Sequence, residues 1–254
     1  MDFLGKGPLS EKKIQKIVKL ATNPFAQPDV RVREMMRLIE DASTEAINGL
    51  LRRFAVNANG HIADEDEKKW LENQLVELGN SAIFPLQRYI CAEKQLTYAL
   101  RAYRRLVDDE ESVRMFIEAL EKHGPESYRE FDSKLQLVWQ LSEDLDDERV
   151  LSALLPFLLD HSDDIRWAVM DLITKAHDAG QLGEEFATTV AAQLSEIVCD
   201  ESTGPRIARR AAQLLAEQEW KMAGEATDLP TLLDEDYFID KKRYLRPRAK
   251  RISN

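Results

Sequence analysis

The chain has 254 residues, 32 % of them charged, a formal net charge of −11, and only ten glycines, nine prolines and two cysteines. That length allows one or two domains with a sizeable core. Cys91 and Cys199 each lie inside an apolar helical run, which argues against a disulfide framework and for a reducing compartment. The longest apolar run, residues 150–159, is broken by Ser152 and Pro156 and falls short of the roughly 20 residues a membrane helix needs.

In chain order, MDFLGKGPLSEKK lacks the apolar segment of a secretory signal, so the protein is expected to be soluble and cytoplasmic. Ile14, Ile17 and Val18 form a helical stripe, with Lys12, Lys13, Lys16 and Lys19 on its outer side, as suits the end of a helical stack. A basic amphipathic helix also suits a membrane surface, although the acids elsewhere oppose that use. Ile47, Leu50, Leu51 and Phe54 make the next stripe, then Val113, Phe116, Ile117 and Leu120, then Phe186, Val190, Leu194 and Val198. No run alternates as a strand does, so the predicted class is all-α.

Between the second and third of these stripes stands NANGHIADEDEKKW, residues 57–70, which reads like the tail of an EF-hand loop. With Gly60 at the sixth position of such a loop, Asn57 and Asn59 fall on liganding positions. The first position is then Ala55, which has no ligand oxygen, and the twelfth is Asp66 rather than Glu. A turn at Asn59-Gly60 followed by a helix explains every residue, with Asp64 as cap and Glu67 as its capping-box partner. No metal site is expected here.

The stripes come in pairs. LLPFLLDHSDDIRWAVMDLI (154–173) is an apolar helix, an acidic turn and a second helix opening Ile-Arg. It resembles the HEAT repeat, a helical hairpin of about 40 residues, and PDVRVREMMRLIED (28–41) and IARRAAQLLAE (207–217) resemble its second half. Second helices anchored on Val32, Leu71, Leu96, Leu135, Ile165 and Ile207 carry an apolar residue four places on. Seven places on, the residue is Ile39, Leu78, Tyr103, Ser142, Leu172 or Leu214, and Ser142 alone departs. The resemblance, to degenerate repeats of the bacterial type, implies a right-handed α-solenoid of about six HEAT-like hairpins over residues 1–220. A C-terminal extension, 221–254, would follow, either docked on the last unit or folding on a partner.

Chemistry is sparse. There is no phosphate-binding loop, nucleophile elbow or His-Glu-x-x-His pattern, the four histidines are isolated, and neither cysteine has a partner at metal-ligand spacing. Hydroxylases of this architecture hold two irons through His-Glu pairs, and the chain has no His-Glu dipeptide. Glycosylases built from such repeats use a basic cleft, whereas residues 1–240 carry −18 once the seven cations of the last fourteen residues are set aside. The expectation is a non-enzymatic scaffold or adaptor without cofactor, with a repeat-type enzyme such as a lyase ranked last.

A solenoid binds along the concave surface formed by its second helices. Residues two after each anchor lie about 200° round the helix from the core, which selects Tyr98, Leu137, Trp167 and Arg209 as candidate partner contacts, with burial against neighbouring helices as the competing reading. An anionic partner, nucleic acid included, would be met only by Lys241, Lys242, Arg243, Arg246, Arg248, Lys250 and Arg251, because the acidic body repels it.

Overall fold

A computed structural model of the chain describes residues 8–225 and 228–248. The helices, in order, are α1 (Glu11–Ala21), α2 (Pro28–Asp41), α3 (Thr44–Leu51), α4 (His61–Glu77), α5 (Asn80–Ile90), α6 (Thr97–Leu106), α7 (Asp109–His123), α8 (Phe131–Leu141), α9 (Glu148–Leu154), α10 (Asp163–Asp178), α11 (Glu184–Cys199), α12 (Pro205–Glu217) and α13 (Thr231–Asp234). The chain runs on from α3 and α9 as 3-10 turns, Arg52–Ala55 and Leu155–Leu159. At the second of these, Pro156 cannot supply the N–H that an α-helix would need there. No helix among the described residues is long and apolar enough to cross a membrane.

Two compact units divide the chain, Met1–Lys122 and His123–Asn254. In the first, α1, α3 and α5 pack side by side as one layer, and α2, α4 and α6 as a second. In the second, α8, α10 and α12 form one layer, with α11 and the turn after α9 in the other. Two layers of alternating helices are what stacked hairpins produce, and the architecture is an all-α solenoid. The expected second helices all occur, as α2, α4, α6, α8, α10 and α12.

The stripes read from the sequence supply much of the core. Ile14, Ile17 and Val18 are buried, as are Ile47, Leu50, Leu51 and Phe54. Two registers differ from expectation. In α2 the helix buries Arg31, Glu34, Met35 and Leu38, leaving Met36 40 % exposed. In α8 it buries Lys134, Leu137, Val138 and Leu141 and turns Trp139 out, 50 % exposed. Both helices bury a charged side chain that has an opposite charge to meet, and a count of apolar residues alone misses this.

Strands also occur, against expectation. Tyr237–Ile239 (β1) pairs antiparallel with Leu245–Pro247 (β2), each too short to show alternation in the sequence. This hairpin and α13 pack on α12, burying Met222, Leu233 and Leu245. The described part of the extension is therefore docked within the second unit.

Candidate functional site

The stretch 57–70 lies over a cluster of buried charges. Arg31 (1 % exposed) donates to both carboxylate oxygens of Glu67, Nε at 3.0 Å and Nη2 at 2.9 Å. Arg53 (0 %) donates to Glu67 from the other side and to Asp64, and Lys68 bonds Asp64 at 2.8 Å and Asn57 Oδ1 at 3.0 Å. The remaining donors hold loop backbone. Arg31 reaches the Ala26 carbonyl, Arg53 the Val56 carbonyl at 2.7 Å, and the Ala58 N–H donates to Asp64 at 2.9 Å. Burial pushes the Asp64 carboxyl up, but Lys68, Arg53 and the Ala58 N–H outweigh it and hold it at about 2.

Asp64 therefore does not cap α4. Helix α4 starts at His61 after Gly60, whose φ of 88° needs a residue without Cβ, and Asp64 and Glu67 face inward as counter-ions. The Asn57 oxygen that an EF-hand would use is occupied by an ammonium. Among the described residues no group of three or more His, Cys, Asp or Glu is placed to hold a metal ion.

The second-helix surface is the other candidate. Trp167, half-buried on α10, meets two guanidinium groups of α12, Arg206 at 4.8 Å and Arg210 at 5.5 Å from the ring centre. Those arginines are held by acids of α10, Arg206 by Asp164 at 2.6 Å and Arg210 by Asp171 at 2.7 Å. Arg209 is exposed, with Asp236 3.8 Å away. In the first unit Tyr98 stacks on Phe54 with ring centres 5.5 Å apart, and Arg101 approaches its ring. Burial, then the nearby Glu65, raises its phenol.

Leu137, the fourth candidate, is fully buried. The α8 register that takes it into the core brings out Trp139 instead, a residue assigned to the core from sequence. One signal was present: Ser142 breaks the stripe that contains Trp139, whereas Leu137, Val138 and Leu141 fit the helical spacing around Lys134.

The cations of the last segment are largely engaged. Arg246 bonds Glu219 at 2.7 Å and lies 3.4 Å from Asp240. Arg248 donates to the Asp234 carboxylate at 2.9 Å and to the Tyr237 carbonyl, and Arg243 to the Ala223 carbonyl. Lys241 and Lys242 stay exposed. Lys250 and Arg251 lie outside the described residues.

No family model matches the chain, and no curated protein does. Among solved structures, human deoxyhypusine hydroxylase in complex with glycerol is similar at 16 % identity and a TM-score of 0.30, over 81 % of this chain and 85 % of that one. That protein is an enzyme, so the expectation of a non-enzymatic scaffold is withdrawn. A likeness of this size assigns no reaction to this chain.

Proposed function

We propose that the chain, a HEAT-like repeat protein with a closing extension at 221–254, binds a protein or peptide partner on the second-helix surface of its C-terminal unit. The observation that carries this is Trp139, half exposed on α8 while its neighbours Leu137 and Val138 fill the core. A solvated indole on a regular helix is costly in apolar exposure, and Trp, Tyr and Arg are the side chains that dominate binding energy at protein interfaces. Trp167, in contact with Arg206 and Arg210, lies on α10, which packs directly on α8. The free thiols Cys91 and Cys199 suit a reducing compartment such as the cytoplasm.

The test is affinity capture with the full chain, with and without nuclease, comparing wild type, Trp139→Ala and Trp167→Ala. A partner retained by wild type in nuclease and lost at least about thirtyfold by Trp139→Ala, the factor that 2 kcal/mol represents, supports the reading. A partner indifferent to both substitutions, or released by nuclease, rejects it.

A further inference from the structure

Two arginines of the first unit converge on one buried acid. Glu72, on α4, is 3 % exposed, and the two cations that meet it both come from α6. Arg101 Nη2 lies 3.2 Å from its Oε2, and Arg105 Nη1 lies 3.1 Å from its Oε1. Asn73 accepts from the same Nη1 of Arg105 at 2.8 Å. The Arg101 guanidinium also approaches the Tyr98 ring, 5.8 Å from its centre. A carboxylate buried without a cation is costly, so Glu72 holds both arginines to one spot. Their side chains nevertheless stay 47 % and 46 % exposed.

Glu72 and Asn73 occupy a single nitrogen of Arg105. Its Nε and Nη2, the edge that grips a carboxylate through two parallel hydrogen bonds, meet no acceptor among the described residues. Arg101 makes no hydrogen bond among those residues, and its contact with an acid is the ion pair to Glu72. Both heads are thus placed before a ligand arrives, which lowers the ordering cost of binding. The spot where they converge is filled by the oxygens of Glu72, so each open edge is left to a separate ligand group. Helix α6 holds three arginines and no acid, and the half-exposed Glu65 of α4 has Lys69 3.9 Å away.

We infer that Arg101 and Arg105 form a binding site for an acidic peptide, in which carboxylates at alternate positions of an extended segment each take one guanidinium. The spacing suits this, since residues four apart on a helix rise by about 6 Å and alternate residues of a strand lie about 6.6 Å apart. A nucleic-acid backbone, charged along its whole length, would also meet the acids of a chain whose residues 1–240 carry −18. A short segment with two carboxylates need meet only the arginines. Glu72 and Asn73 act as positioning residues. The site involves neither Trp139 nor Trp167, so its failure would leave the reading of the C-terminal unit untouched.

Fluorescence anisotropy of a short labelled peptide with glutamate at alternate positions, titrated with the full chain at low ionic strength, tests this. Saturable binding is expected, weakened by raised salt and absent when glutamines replace the glutamates. Arg101→Ala and Arg105→Ala should each weaken it at least about tenfold, as loss of a charge-assisted bond does. Arg105→Lys keeps a cation for Glu72 but loses the two-pronged edge, and should also weaken binding several-fold. Arg33→Ala with Arg37→Ala removes two cations held in a similar way by buried Glu34 on α2. That pair should change the affinity less than about twofold, as screened charges do. No saturable binding to wild type, full affinity in Arg105→Lys, or an equal loss in the α2 variant overturns the proposal. Tighter binding of a single-stranded oligonucleotide of equal charge overturns the assignment to a peptide.

Discussion

Arg31 and Glu67 stand 36 residues apart in sequence and meet face to face, the guanidinium donating through two nitrogens to both oxygens of the carboxylate. Glu67 also accepts from Arg53, so a single carboxylate serves two buried cations. Glu67→Gln should therefore cost more than a surface ion pair, roughly 3–5 kcal/mol, because it leaves buried positive charge without compensation. Urea unfolding measures it; a loss under about 1 kcal/mol would show that the cluster is solvated.

Acid should act on the same cluster. The Asp64 carboxyl, held at about 2 against an ordinary 3.8, binds its proton less readily in the folded chain than in the unfolded one. Its contribution is therefore complete above about pH 4 and lost as pH falls from there towards 2. In Asp64→Asn the melting temperature should be lower at neutral pH and fall less steeply across that window. Parallel curves for the two proteins would contradict the assignment.

Calcium should have no effect. Asn57 Oδ1 and Asp64 are already bonded to Lys68, and displacing that ammonium would leave it buried and alone. Millimolar Ca²⁺ should leave the melting temperature unchanged, and a saturable rise abolished by Asp66→Ala would show that the loop rearranges around the ion.

Two positions a pair of residues apart on α8, Leu137 and Trp139, should behave oppositely. Leu137→Ala should cost about 2–5 kcal/mol, as should Leu172→Ala on α10, since both leucines are buried. Trp139→Ala should change stability by less than about 1 kcal/mol. In a variant whose only tryptophan is Trp139, iodide should quench the fluorescence readily. A shielded Trp139, or a tolerant Leu137, would restore the register read from the apolar pattern.

Much of the fold is legible in the sequence because stacking needs apolar stripes at helical spacing, and α1, α3, α7 and α11 show them plainly. The pattern misleads where charge replaces apolar contact. Lys134 occupies a core position of α8 because Asp160 and the Ser127 carbonyl receive its ammonium. Arg31 and Glu34 do the same in α2. Such positions look like solvated faces in one dimension: the carboxylates that receive Lys134 and Arg31 come from 26 and 36 residues away, and Glu34 pairs with Arg33 and Arg37 as a surface acid would. The candidate surface inherited that error at Leu137, while Trp167 and Tyr98 are half-buried, Tyr98 against Phe54 and Trp167 beside Arg206 and Arg210.

The short β-hairpin has a consequence for how such a protein changes size. Helical-repeat chains lengthen by duplicating a hairpin, and each new copy needs an open flank to rest on. Here α12, already packed on α10 and α11, has α13 and β2 seated on it as well, with Leu233 and Leu245 buried beneath them. Further repeats spliced on after Glu217 would compete with α13 and β2 for that flank. Growth is accommodated by inserting a hairpin upstream of α11, which leaves α13 and β2 their seat on α12.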